Sequence, residues 1–102
     1  MKRLEGQVAI VTGGARGIGK GICEVFCREG ATVALWDVLD GTETVNEITQ
    51  NGGNIFFQKV DVTDQSSVDS AIEEIIKQHD KIEILINNAC LLYTSDAADE
   101  TC

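Results

Sequence analysis

The residues of this 102-residue chain best suited to chemistry start with a glycine-rich run, Thr12-Gly13-Gly14-Ala15-Arg16-Gly17-Ile18-Gly19. It lies between a short apolar stretch, Val8-Ala9-Ile10-Val11, and a helical pattern. A run in that position suits a pyrophosphate. The first turn of a helix presents unpaired N–H groups and roughly half a positive charge. Glycines let the backbone bend sharply and let a phosphate approach without meeting a Cβ. Gly13 is expected to make the tight turn, and Gly17 and Gly19 to allow close phosphate approach and helix–strand packing. Asp37 ends the next apolar stretch, 24 residues after Gly13. There its carboxylate suits the hydroxyls of an adenosine ribose. A 2′-phosphate would meet its negative charge, so the pair points to a dinucleotide, with NAD favoured. Arg16 keeps NADP open, because a guanidinium pairs well with phosphate. The plainer alternative is a tight strand-to-helix turn with an exposed arginine and an aspartate that merely ends a strand.

The elements that must position these residues follow a strand–helix rhythm. Val8 to Val11 reads as a strand covered on both faces. The helix after the glycines is expected to bury Ile18, Ile22, Val25 and Phe26, with Lys20, Glu24 and Arg28 outward. Gly30 is placed to end it with positive φ. Thr32 to Trp36 forms the second strand. Asp40 and Glu43 have capping-box spacing for a helix carrying Val45 and Ile48, which Asn51-Gly52-Gly53 stops. The third strand lies within Asn54 to Val62. Thr63 or Asp64 caps a helix with the stripe Val68, Ala71, Ile72, Ile75 and Ile76. Ile82 to Ile86 is the fourth strand. Strands alternating with helices of this length imply parallel pairing.

Two further motifs occupy the ends of strands three and four, Asp61-Val62-Thr63-Asp64 and Asn87-Asn88-Ala89. Taken alone, Asp61 is a capping residue and the asparagines are turn residues. Together with the Gly-x-x-x-Gly-x-Gly loop and Asp37, they resemble the short-chain dehydrogenase/reductase family from Leu4 to Ala89. The resemblance implies a Rossmann-type, doubly wound parallel α/β sheet, truncated here after about four strands. It implies cofactor contacts from Gly13, Arg16, Gly17, Ile18, Gly19 and Asp37. It adds Asp61 and Val62 against adenine, and Asn88 against the ribose. It implies NAD(P)-dependent interconversion of a hydroxyl and a ketone, with 3-oxoacyl-acyl-carrier-protein reductases and sugar or polyol dehydrogenases as the nearest subfamilies. A small-molecule substrate and a homo-oligomer, tetramer or dimer, go with it. The alternative is a non-catalytic dinucleotide-binding or regulatory protein.

The resemblance stops at Cys90, where the family has glycine. The family's catalytic serine and Tyr-x-x-x-Lys pair have no match. The only tyrosine is Tyr93, the residue four later is Ala97, and no lysine follows Lys81. Cys90 to Glu100 reads like translated sequencing adapter, a transposon end used in library preparation. The rival is an acidic helix capped by Ser95. Residues 1–89 are therefore expected to be a partial NAD(P)-binding domain and residues 90–102 a non-native tail. On this reading the chain is inactive and prone to aggregate through an open strand edge.

Composition narrows the remaining classes. Eight Lys+Arg against 17 Asp+Glu give −9, which argues against nucleic acid and against an anionic membrane surface. No segment approaches the roughly 18 apolar residues of a membrane span. Lys2-Arg3 is followed by Glu5 and Gly6, where a signal peptide needs an apolar stretch, so a cytoplasmic location is expected. The four cysteines then read as free thiols. Cys23 and Cys27, at i, i+4, lack the further ligands a metal site needs and read as helix packing. His79 reads as a helix-end histidine, and Trp36 as core or the rim of an adenine pocket.

Overall fold

The computed structural model describes residues 2–88. The expectations for Ala89, for Tyr93 and for the tail from Cys90 onward lie outside the described residues. The elements run β1 Val8–Thr12, α1 Gly17–Arg28, β2 Thr32–Asp37, α2 Thr42–Gln50, β3 Asn54–Lys59, α3 Gln65–His79 and β4 Ile84–Ile86. The four strands form one parallel sheet in the order β3-β2-β1-β4. The chain thus builds outward from β1 in one direction, then crosses back to add β4 on the other side. Register sets Thr12 opposite Trp36, Asp37 opposite Lys59, and Val11 opposite Ile86.

Alternation along the strands divides the core into two layers, as a sheet with both faces covered requires. One layer joins Val8, Ile10, Ala34 and Trp36 to Ala71 and Ile75 of α3. The other joins Val11, Val33 and Leu35 to Cys23 and Cys27 of α1 and Ile48 of α2.

The face that α1 buries differs from the expected one. Gly19, Cys23 and Cys27 are its buried residues, whereas Ile18 is 74% and Val25 44% exposed. Ile22 and Phe26 pack partly against the core as expected. Small side chains on the inner face let the helix lie close to the sheet, and that closeness turns the larger apolar residues outward. A Cβ on Gly14 would stand 2.9 Å from Leu35 and 3.1 Å from Cys23 Sγ, which shows how little room remains. Likewise Ile76 of α3 is exposed while Ala71 and Ile75 are buried.

The helix ends follow local chemistry. Gly30 has φ 95°, and Ala31 N–H and Gly30 N–H bond the Phe26 and Cys27 carbonyls, a Schellman ending. Gly53 and Gly52 repeat it on Ile48 and Thr49. Asp64 caps α3, accepting from Ser66 N–H. The capping box expected at α2 does not form. Gly41 is the N-cap, and the Asp40 carboxylate accepts from the Thr42 N–H and hydroxyl instead. An aspartate one residue earlier closes an Asx turn more readily than it reaches N3. Among the described residues, no helix is long and apolar enough to cross a membrane.

Candidate functional site

The glycine loop leaves the carboxyl end of β1, an inner strand at the point where the sheet order reverses, and runs into α1. In open parallel sheets that is where a ligand crevice forms. Gly13 has φ 67° and Gly17 φ 63°, a region that L side chains rarely adopt. A Cβ on Gly17 would meet nothing within 4 Å, so the loop is open there. One on Gly19 would overlap the Gly13 carbonyl oxygen. The two glycines therefore serve separate needs, open approach at 17 and close packing at 19. Arg16 is the N-cap of α1, extended at φ −158° and exposed, with no side-chain cap bond and no acidic residue in the first turn. The start of α1 is consequently an electropositive end made of backbone N–H groups. Ile18 presents an exposed apolar side chain beside it.

Asp37 is 7% exposed, and its carboxylate holds backbone: Ala15 N–H at 3.0 Å on one oxygen, Leu39 N–H at 3.0 Å on the other. A carboxylate has about four acceptor positions, so two remain for further donors. Asp61 lies beyond β3, exposed, accepting from the Thr63 hydroxyl at 2.6 Å and N–H at 2.9 Å. Those bonds, the hydroxyl first, hold its carboxyl below the usual range. Val62 is half-buried against the α3 layer. Asn88 Nδ2 donates to the Gly13 carbonyl at 3.3 Å, and Asn88 N–H donates to the Thr12 hydroxyl at 2.8 Å. The sheet thus brings Gly13, Arg16, Gly17, Ile18, Gly19, Asp37 and Asn88 around one loop, with Asp61 and Val62 beyond the end of β3. Trp36 is core, its indole N–H on Gln58 Oε1 at 2.7 Å.

Thr12, which opens the glycine run, and two positions that the sequence did not single out, Thr44 and Gly41, also shape the loop. Thr12 Oγ1 lies 3.3 Å from the Ile86 carbonyl and 3.2 Å from Asn87 Oδ1, so its hydroxyl joins the ends of β1 and β4. Thr44, buried in α2, donates to the Ala15 carbonyl at 2.7 Å. Gly41 lets the start of α2 settle on the sheet, since a Cβ there would stand 2.8 Å from Phe57 and 3.0 Å from Leu35. These contacts join residues far apart in the chain, and no local pattern announces them.

A cavity of about 470 Å³ lies elsewhere, lined by Lys2, Arg28, Asn51 and Gly53 among others. It sits at the far ends of α1 and α2, roughly 16 Å along α1 from the loop at 1.5 Å per residue. It contains none of the motif residues, and the chemistry belongs with the loop. Cys23 and Cys27 are free, buried thiols. Burial pushes Cys23 up to about 12 and Cys27 up to about 11. Among the described residues, no three His, Cys, Asp or Glu side chains gather as a metal site.

A parallel sheet with helices on both faces and a glycine loop at its switch point defines a Rossmann-type α/β protein. The short chain dehydrogenase family model matches residues 7–101. The chain belongs to that family. It is 40% identical over 88 residues to a 3-oxoacyl-(acyl-carrier-protein) reductase of Chlamydia pneumoniae, covering 84% of this chain and 36% of the relative. It is 43% identical over 91 residues to a sorbitol dehydrogenase of Cereibacter sphaeroides, covering 87% and 34%. The crystal structure of an Escherichia coli hydroxysteroid dehydrogenase superimposes with TM-score 0.80 at 36% identity, covering 83% of this chain and 37% of that one. The chain therefore spans about a third of the length of the relatives it matches.

Proposed function

We propose that residues 1–89 are the cofactor-binding half of a short-chain NAD(P)-dependent oxidoreductase interconverting a hydroxyl and a ketone. The observation that carries this is the Gly13–Gly19 loop, braced by Asp37 on one side and Asn88 on the other. The fit to a dinucleotide rests on three features. The start of α1 is uncapped by any side chain, Gly17 leaves open space, and Asp37 keeps acceptor positions beside the loop.

In this reading the backbone from Gly13 to Gly19, with Arg16, holds the pyrophosphate, and Ile18 lies against the cofactor. Asp37 and Asn88 hold the adenosine ribose, while Asp61 and Val62 hold adenine. NAD is preferred to NADP because a 2′-phosphate would press on the Asp37 carboxylate. The bound nicotinamide would supply or take up the hydride. This chain's own part is to bind and orient. It carries no match to the family's Ser and Tyr-x-x-x-Lys set, and residues 90–102 are a non-native tail, so chain 1–102 catalyses nothing. The substrate is a small molecule of the 3-oxoacyl or sugar/alcohol type. A homo-oligomeric parent and a cytoplasmic location complete the reading. The family match favours this over a non-catalytic dinucleotide-binding protein.

The test is titration of chain 1–102 with NADH and NADPH, followed by nicotinamide fluorescence. Saturable binding, weak and tighter for NADH, is expected, with no turnover of simple ketones or alcohols. No binding of either nucleotide overturns the cofactor reading. Clear turnover overturns the reading of the chain as inactive.

A further inference from the structure

We propose that Thr44, on α2, is a positioning residue for the glycine loop, acting through Ala15; the inference rests on the cofactor reading above. The Ala15 residue is held from two sides. Its N–H donates to Asp37 Oδ2 at 3.0 Å, and its carbonyl accepts from Thr44 Oγ1 at 2.7 Å. These two groups belong to successive peptide planes, Gly14–Ala15 and Ala15–Arg16. Each plane is rigid and trans, so its N–H and C=O point in opposite directions. Pinning the Ala15 carbonyl toward α2 therefore turns the Arg16 N–H away from α2. Pinning the Ala15 N–H toward Asp37 turns the Gly14 carbonyl away from Asp37. Together the two bonds set the orientation of the backbone that leads into Gly17 and the open N–H groups of α1.

The reach of Thr44 is built into the fold. Thr44 is 4% exposed and sits in the first turn of α2. Gly41, the N-cap, lies so close to Leu35 and Phe57 that a side chain there would lift the helix from the sheet. The Lys20–Glu47 pair, 2.7 Å apart, ties the outer surfaces of α1 and α2 together one turn further on. The hydroxyl thus joins a helix that carries no cofactor-binding residue to the loop that does. Valine has the same shape as threonine but no hydroxyl, so Thr44→Val leaves the Ala15 carbonyl without this donor and frees the plane to rotate.

The experiment compares chain 1–102 with Thr44→Val, Thr44→Ala and Thr44→Ser. It measures amide hydrogen exchange residue by residue, and NADH affinity by nicotinamide fluorescence. Thr44→Val is expected to exchange faster at the amides of residues 13–19 with β2 and β3 unchanged. It is expected to bind NADH about tenfold more weakly, the scale of one lost hydrogen bond. Thr44→Ser is expected to restore both. Unchanged exchange and affinity in Thr44→Val, with wild type binding NADH, overturn the role of Thr44 and leave the cofactor reading standing. Loss of protection throughout β2 and β3 in both Thr44→Val and Thr44→Ala also overturns it, because the hydroxyl would then support the domain and not the loop. Wild type that binds no NADH overturns the cofactor reading, and with it this one.

Discussion

Gly19 is seated against Gly13 so closely that a Cβ on Gly19 would overlap the Gly13 carbonyl oxygen and stand 2.9 Å from Asn88 Nδ2. Backbone, not a flexible side chain, is the obstacle. Gly19→Ala is therefore expected to displace the start of α1 and to cost about 1–3 kcal/mol in urea unfolding. Gly17→Ala meets open space but must adopt φ 63°, at about 1–2 kcal/mol. Asparagine tells the two apart. Gly17→Asn recovers part of the loss because Asn tolerates left-handed backbone, while Gly19→Asn does not.

Asp37 holds Ala15 and Leu39 as well as being the expected selector of NAD. Asp37→Ser removes the charge and both backbone bonds made by the carboxylate. The ratio of NADPH to NADH affinity is expected to rise. The urea midpoint should fall in the same variant, since net hydrogen-bond contributions are about 1 kcal/mol each. An unchanged affinity ratio would sink the selector role.

The two core thiols predict both inertness and an alkaline limit. Burial lifts Cys23 to about 12 and Cys27 to about 11, above the ordinary 9.0. At pH 8, iodoacetamide is expected to label both only after unfolding in urea. The linkage has a definite sign. Above pH 9 the unfolded thiols lose protons that the folded ones keep, so stability complete below 9 falls as pH rises through 11–12. Urea midpoints measured upward from pH 8 check this, and Cys23→Ala should flatten the decline.

Leu85 is 62% exposed on β4, and among the described residues no strand pairs on its far side. An exposed apolar residue on a strand edge invites pairing between chains. Leu85→Lys is expected to reduce light scattering of concentrated chain 1–102 at an unchanged melting temperature. Equal scattering would point to another surface.

The sequence carried the elements well because its local signals agreed. Gly30 and Asn51-Gly52-Gly53 stopped helices where the structure stops them, and Asp64 capped α3. Asp37 was legible for the same reason, since it closes a strand whose run from Val33 to Trp36 is apolar. What was not legible depends on distance between elements. The apolar pattern of α1 suggested Ile18 and Val25 as core, yet the helix lies so near the sheet that only Gly19, Cys23 and Cys27 fit beneath it. Asp40 had capping spacing, but its own Asx turn competed and won. Thr44 and Gly41 look ordinary in sequence, and their roles arise only when α2 lies across β2 and β3.

The position of β1 inside the sheet has a consequence for synthesis. Its partner on one side is β2, which follows shortly, but Val8 also bonds Glu83, 75 residues later. At roughly 5–20 residues per second, a ribosome leaves that second edge of β1 unpaired for about 4–15 s. During that interval Val8 to Val11 is an apolar strand with one side bare. Of the four strands described, β1 needs nascent-chain shielding longest.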